Sequence, residues 1–146
     1  MPSTQQQREA AEEISEAFIE AYNTGDTSLI EPVVTDDFVC YNLSEDLELH
    51  GASEYAGRIE EIRGAFDDFE MEELLMLVDG DRGANRIRWS GRHTDTFQGI
   101  PGTGKEVDTT SVVLSRMEDG KLAEMWVYND TMGFMRQLGI DPTPTG

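Results

Sequence analysis

Residues 107–129, VDTTSVVLSRMEDGKLAEMWVYN, decide the fold class of this chain. The stretch is rich in Val and Thr, which favour β-strands. It is interrupted by Asp119-Gly120, a dipeptide typical of tight hairpin turns. It therefore predicts two antiparallel strands, at residues 107–117 and 122–129, joined by that turn.

Two more strands are predicted before this hairpin, at residues 70–78 and 87–97. Asp79-Gly80-Asp81 predicts the turn between them, and a glycine-rich loop at residues 99–104 leads into the hairpin. A further short strand is predicted at residues 38–42. The second half of the chain is therefore an antiparallel meander.

Helical patterns dominate the first half. Ile14, Phe18, Ala21 and Tyr22 recur at helical spacing, with glutamates on most of the other face. Thr4-Gln5-Gln6-Gln7 fits a capping box at the start of this helix. Two short helices are predicted at residues 27–34 and 133–138, and another begins at Ser53 with Tyr55, Ile59, Ile62 and Phe66 on one face. Residues 44–50 are predicted as a polar connection and residues 141–146 as a loose tail.

Helices followed by a meander define an α+β class. The length of 146 residues suits one domain, spanning residues 1–146. A strongly curved antiparallel sheet with the N-terminal helices packed over its concave face would enclose a pocket.

The charge excludes several classes of partner. Thirty acidic residues stand against eleven basic ones, which gives a formal net charge of −19. Nucleic acids and anionic membrane surfaces both require a basic footprint, so neither is expected to bind. The partner that we expect instead is a small hydrophobic ligand.

The acidity is uneven, because residues 1–80 carry 21 acidic and 3 basic residues. Lysine is scarce, with two Lys against nine Arg. This composition favours a halophilic protein in a high-salt cytoplasm, where ions screen the repulsion between carboxylates. The alternative is an ordinary acidic protein.

Cysteine and histidine are rare. Cys40 is the single cysteine, which excludes an internal disulfide and a cysteine-based zinc site. Neither His50 nor His93 has a metal-spaced partner, so we expect no metal site. The longest apolar run is five residues, at 74–78, so we expect neither a membrane span nor a signal peptide, and a cytoplasmic location.

One group of residues on two of the predicted strands could form a catalytic site. Strand alternation places Trp89 and His93 on one face with Ile87, Gly91, Asp95 and Phe97, and places Trp126 and Asp130 on one face with Leu122, Glu124 and Tyr128. A barrel-like sheet would bring these two faces together. An aromatic cavity with one carboxylate and one imidazole suits proton transfer at a carbon next to a carbonyl.

Each of these residues has a structural alternative. Asp130 could cap the terminal helix, and His93 could be a hydrogen-bonded structural histidine. Tyr22 and Tyr41 could serve packing alone, Asn42 could form a turn, and Trp89 and Trp126 are core residues in either case. The other candidates for substrate binding are Phe18, Phe38 and Phe97.

Three stretches resemble the SnoaL-like polyketide cyclase, or ester cyclase, family. They are residues 91–105 (GRHTDTFQGIPGTGK), 117–126 (MEDGKLAEMW) and 130–139 (DTMGFMRQLG). The resemblance covers residues 8–140. One departure is Met125, since relatives often carry histidine before the tryptophan of the last strand.

The resemblance implies the nuclear-transport-factor-2-like superfamily, with a cone of helices on a curved sheet, an internal pocket and a homodimer. It implies an intramolecular aldol condensation without metal or cofactor. Asp130 matches the general acid/base of that family, and His93 matches a pocket histidine.

The leading hypothesis is a lyase or isomerase that performs general acid/base chemistry on a small hydrophobic carbonyl compound. The alternative is a non-catalytic ligand-binding or dimerisation module of the same fold. A third possibility, epoxide hydrolysis by an Asp-Arg-Asp relay, would need Arg92 and Asp95 beside Asp130.

Overall fold

A computed structural model describes residues 3–140 of the chain. The tail predicted at residues 141–146 lies outside the described residues. The elements in chain order are α1 (Thr4–Thr24), two 3-10 turns (Thr27–Leu29 and Glu31–Val33), β1 (Val34–Asn42), β2 (Leu47–His50), α2 (Gly51–Ala65), β3 (Phe66–Asp79), β4 (Arg82–His93), β5 (Glu106–Glu118), β6 (Lys121–Asn129) and α3 (Thr131–Gln137).

Six strands form one sheet in the order β2-β1-β6-β5-β4-β3. All neighbours are antiparallel except β1 and β6, which pair in parallel. The α+β class and the meander of four long strands are confirmed. Parallel neighbours require a long connection, and here the elements from β2 to β5 lie between β1 and β6 in the sequence.

The sequence misassigned three segments. The helix expected at residues 27–34 is two 3-10 turns, and Pro32 lies in the second of them. The connection expected at residues 44–50 contains β2, which pairs with β1. β3 begins at Phe66, which was expected on the third helix.

The hairpin turn between β5 and β6 is confirmed. Asp119 and Gly120 both have positive φ, 52° and 78°, which is the geometry of a type I′ turn. Asp is tolerated at such a φ and Gly adopts it freely, so this dipeptide sets the pairing of Glu118 with Lys121.

The C-terminal end of α1 is fixed to the sheet and to α2. The Asn23 side chain donates to the carbonyl of Met71 and accepts from its N–H, at 2.9 and 2.7 Å. Arg63 donates to the carbonyl of Tyr22 at 2.7 Å and so satisfies an acceptor at the helix end. These bonds hold Tyr22 over the concave face of the sheet.

At its other end, α1 begins one residue earlier than expected. The capping box is formed by Ser3 and Gln6, not by Thr4. The buried stripe of α1 is the expected set, namely Ile14, Phe18, Ala21 and Tyr22. Within residues 3–140, no helix is both long and apolar enough to cross a membrane.

A bulge in β6 changes which of its side chains face inward. Met117 pairs with Leu122, whereas Arg116 pairs with Glu124, so one extra residue is accommodated in β6. Beyond the bulge, Met125 and Val127 face the concave side. The alternation expected from Leu122 onward is therefore displaced by one residue.

Candidate functional site

A cavity of about 180 Å³ lies between the concave face of the sheet and the helices α1 and α2. Its wall is mostly apolar. Phe18, Trp89 and Met125 are among the side chains that form it. The only charged residues on the described wall are Glu45, Arg58 and Asp130. A hydrophobic molecule bound in the cavity would therefore lie near only these three charged side chains.

Two tyrosines provide a hydroxyl pair on this wall. The hydroxyl oxygens of Tyr22 and Tyr55 lie 2.8 Å apart, and both side chains are buried. Burial raises the pKa of Tyr22 to about 12 and raises that of Tyr55 well above its ordinary value. Both hydroxyls stay protonated at neutral pH. One proton forms the mutual bond, so the other is free to donate to a ligand.

A buried ion pair lies on the same wall. A guanidinium nitrogen of Arg58 contacts the carboxylate of Glu45, and both side chains are largely buried. The amide of Asn42 donates to that carboxylate at 2.8 Å, while its oxygen accepts from the N–H of Glu45. The guanidinium carbon of Arg58 lies 5.0 Å from the ring centre of Phe97, within cation–π range.

Strands β5 and β6 contribute uncharged polar groups. Ser111 donates to the side-chain oxygen of Asn129 at 2.6 Å. The hydroxyl of Thr109 is buried and has no hydrogen-bond partner among the described residues. All three residues line the cavity. The Thr109 hydroxyl can therefore bond a water or ligand within it.

Asp130 lines the cavity where β6 ends. Its carboxylate accepts from the N–H of Gly133 at 3.0 Å, so it caps α3. The residue is exposed, and no described cation pairs with it. The helix-capping alternative for Asp130 is thus the observed geometry. The cap uses one carboxylate oxygen, and the other has no hydrogen-bond partner among the described residues.

His93 does not line the cavity, contrary to expectation. Its ring is fully buried and packs on Phe66, with ring centres 5.3 Å apart. The N–H of Thr103 donates to Nδ1 at 3.3 Å, and the hydroxyl oxygen of Thr103 lies 3.2 Å from the same nitrogen. His93 therefore fixes the loop between β4 and β5, and the expected contact with a substrate carbonyl is absent from this geometry.

The structure divides the remaining predicted residues into two groups. Those that line the cavity are Phe18, Tyr22, Asn42, Trp89 and Phe97. Phe38 lies behind the wall, against Phe18 and Tyr55. Tyr41 and Trp126 stack on each other with ring centres 5.9 Å apart and do not line the cavity.

The expected place of Trp126 on the cavity wall is wrong because of the β6 bulge. The extra residue turns Trp126 to the outer face and Met125 to the inner face. Arg92 and Asp95 are also exposed and away from the cavity, so the relay considered for epoxide hydrolysis is not assembled. β4 ends at His93, which removes Asp95 from the predicted alternation.

Sequence reasoning missed Arg58, Glu45 and Tyr55 as wall residues. A signal for Arg58 was available, because it lies three residues after Tyr55 and four before Ile62, within the apolar stripe of α2. An arginine on a buried helix face requires a charged or hydrogen-bonding partner, because burying an unpaired charge is unfavourable. Glu45 is in the turn before β2, and nothing in its spacing indicates that pairing.

In the part of the chain that is described, no three or more His, Cys, Asp or Glu side chains form a group that could hold a metal ion. Cys40 is buried on the wall, and burial raises its thiol pKa to about 12. The thiol therefore stays protonated at neutral pH and is a poor nucleophile.

The chain has relatives among known cyclases. The family described as SnoaL-like polyketide cyclase matches residues 12–138. The chain is 30% identical over 131 residues to the aklanonic acid methyl ester cyclase DauD of Streptomyces sp. (strain C5), covering 88% of this chain and 81% of that protein. It is 28% identical over 127 residues to the nogalonic acid methyl ester cyclase of Streptomyces nogalater, covering 86% and 94%.

Among solved structures, TsrD from Streptomyces laurentii superposes with a TM-score of 0.82 at 26% identity, covering 90% of this chain and 96% of that one. A SnoaL-like protein from Jannaschia sp. CCS1 has a TM-score of 0.79 at 22% identity, covering 99% of both chains, and supports the fold alone. The expected cone of helices on a curved sheet is confirmed.

Proposed function

Because the chain belongs to the SnoaL-like polyketide cyclase family, we propose that it is a cofactor-free cyclase or isomerase. Its substrate is a small hydrophobic carbonyl compound, and Asp130 is the general acid/base. The observation that carries this proposal is that Asp130 is the one carboxylate on the described wall without a paired cation. Glu45, the other one, is held by Arg58.

The proposed step is a proton transfer. The open carboxylate oxygen of Asp130 takes a proton from the carbon next to a carbonyl, which leaves an enolate. The enolate carbon attacks a second carbonyl of the same molecule, forming one carbon–carbon bond. Asp130 then returns its proton to the resulting alkoxide. The product is an isomer of the substrate, so no oxidant, reductant or cofactor is consumed.

The enolate oxygen needs a hydrogen-bond donor, and we assign this role to the Tyr22–Tyr55 pair. Both tyrosines line the apolar cavity, where a hydrogen bond to developing charge is strong. This assigns to the tyrosines the electrophilic role that the sequence suggested for His93.

A second candidate function is a ligand-binding module without chemistry. It is favoured by the exposure of Asp130 and by its cap on α3, which gives the carboxylate a structural reason to be there. In that case the cavity binds the same class of ligand and returns it unchanged.

Measuring turnover distinguishes the cyclase or isomerase from the ligand-binding module. Wild-type protein, Asp130→Asn and Asp95→Asn are incubated with aklanonic acid methyl ester, nogalonic acid methyl ester and smaller aromatic 1,3-diketones. Chromatography with mass detection follows a product of unchanged mass. We expect conversion by wild type and by Asp95→Asn, whose carboxylate is outside the cavity. Asp130→Asn should be slower by about 100-fold or more. Binding without conversion by wild type would establish the module instead.

We also propose that the chain forms a homodimer through the outer face of the sheet. Val112, Leu114 and Tyr128 are each more than 40% exposed there, beside the Tyr41–Trp126 stack. Ion pairs flank the patch, such as Arg88 with Asp108 and Arg116 with Glu124. An apolar centre with a charged rim is the usual anatomy of such an interface.

A further inference from the structure

The buried pair of Arg58 and Glu45 has more hydrogen-bonding capacity than the protein uses. A guanidinium carries five N–H donors. The only described hydrogen bond of Arg58 is to Glu45, and a carboxylate oxygen of Glu61 lies 3.6 Å from another guanidinium nitrogen. Four donors therefore lack a bond to the described residues, although the side chain is only 8% exposed.

Arg58 lines the cavity, and Phe97 covers one face of its guanidinium. None of its nitrogen atoms is fully enclosed without a partner, so the free donors reach open space. A buried guanidinium with unused donors beside a cavity is a site for an oxygen acceptor of the ligand.

The charges on the cavity wall determine which kind of ligand oxygen can bind Arg58. The Arg58 charge is already balanced by Glu45, and Asp130 adds a further negative charge to the described wall. A ligand carboxylate would gain from Arg58 but would be repelled by Glu45 at nearly the same distance. An uncharged carbonyl oxygen gains the hydrogen bonds without that repulsion.

We propose that Arg58 holds an uncharged carbonyl oxygen of the ligand and that Glu45, by balancing its charge, excludes the carboxylate form of the same ligand. This names two specificity-determining residues of the cavity and rests on its proposed function as a ligand site. It concerns the ligand group that is held, not the one that reacts.

Asn42 completes the arrangement. It bonds both the side chain and the backbone N–H of Glu45, which fixes that carboxylate against Arg58. Glu45→Gln retains an oxygen that can accept from Arg58 but removes the negative charge, so it tests the charge with little change in packing.

The experiment compares a matched ligand pair, methyl 2-naphthoate and 2-naphthoate, by isothermal titration calorimetry at pH 7. The quantity measured is the ratio of the two dissociation constants, acid over ester. We expect wild type to favour the ester and Glu45→Gln to shift the ratio toward the acid by about tenfold. Glu60→Gln is the matched control, since it removes one exposed charge from α2 without touching the cavity, and its ratio should stay that of wild type.

Repeating the titrations at 0.1 M and 2 M KCl separates local from long-range charge. Salt screens the repulsion due to the overall charge of −19, whereas the buried pair is screened much less, so the Glu45→Gln shift should persist. The double variant Glu45→Gln/Arg58→Gln replaces the ion pair with a neutral pair and should weaken ester binding about fivefold or more. Thermal denaturation confirms that each variant is folded.

Three results would overturn the inference: equal ratios for Glu45→Gln and Glu60→Gln, wild-type ester affinity in the double variant, or no binding of either ligand to wild type. The proposed function fails separately. Full turnover by Asp130→Asn would overturn the catalytic proposal and leave a shifted binding ratio in place, because the ratio requires no chemistry.

Discussion

The carboxylate of Asp130 accepts a hydrogen bond from the backbone N–H of Gly133 at 3.0 Å while it lines the cavity. One side chain thus has a structural and a candidate chemical task. The two can be separated, because Asn and Ser cap helices about as well as Asp but cannot accept a proton as a carboxylate does.

The stability of Asp130 variants tests the cap alone. Asp130→Asn and Asp130→Ser should unfold in urea within a few tenths of a kcal/mol of wild type, whereas Asp130→Ala should be less stable by about 1 kcal/mol. Equal stability of all three would show that the Gly133 hydrogen bond contributes nothing to the fold.

The tyrosine pair predicts non-additive stability. Tyr22→Phe or Tyr55→Phe leaves one buried hydroxyl without its partner and should cost about 1–3 kcal/mol. The double variant removes both polar groups and should be no less stable than either single variant. It should nevertheless lose turnover by about 10-fold or more, because no hydroxyl remains to donate to the enolate oxygen. Additive stability losses with full activity would contradict this account.

Two buried groups, the Cys40 thiol and the Tyr22 phenol, predict that the protein loses stability at high pH. The folded-state pKa values of Cys40 and Tyr22 are both raised to about 12, above the values of about 8.5 and 10 expected in the unfolded chain. Their stability contribution is complete below the unfolded pKa values and is lost as pH rises toward 12. The free energy of unfolding should fall by up to about 1.4 kcal/mol per pH unit for each such group.

Urea denaturation between pH 8 and pH 11 measures this slope. Cys40→Ala should flatten it between pH 8 and pH 9, where the thiol titrates in the unfolded chain and less than about a tenth of the Tyr22 phenol is ionised. A slope that Cys40→Ala does not change would mean that the thiol titrates normally in the folded protein.

The outer sheet face predicts the oligomeric state. Leu114→Asp places a charge at the centre of the exposed apolar patch and should convert a dimer to a monomer in light-scattering measurements after gel filtration. Leu43→Asp is the control, because Leu43 is exposed in the turn after β1. A monomeric wild type would refute the dimer.

Much of the fold was predictable because local sequence decided it. The alternation and the Asp-Gly turn specify the β5–β6 hairpin, and the apolar stripe specifies α1. The parallel pairing of β1 with β6 joins segments far apart in sequence, so no local pattern could reveal it. β2 is four residues long, too short for a clear period. The high-salt interpretation of the acidity stays a prediction.

The site was less predictable than the fold for a geometric reason. A single bulge in β6 reversed the faces of Met125 and Trp126. Because β4 ends at His93, Asp95 does not share its face of the strand. The His93 ring contacts the loop between β4 and β5 through Thr103. One displaced residue moves every later side chain to the other face, so correct strands gave several wrong wall residues.

Deuterium incorporation next to a carbonyl tests whether Asp130 is the general base. 2-Tetralone is incubated in D₂O with wild type, Asp130→Asn and Asp95→Asn, and proton NMR follows loss of the signals from the carbons beside the ketone. If Asp130 is the base, wild type and Asp95→Asn accelerate the exchange above buffer and Asp130→Asn does not. Equal acceleration by Asp130→Asn, or none by wild type, would contradict the account.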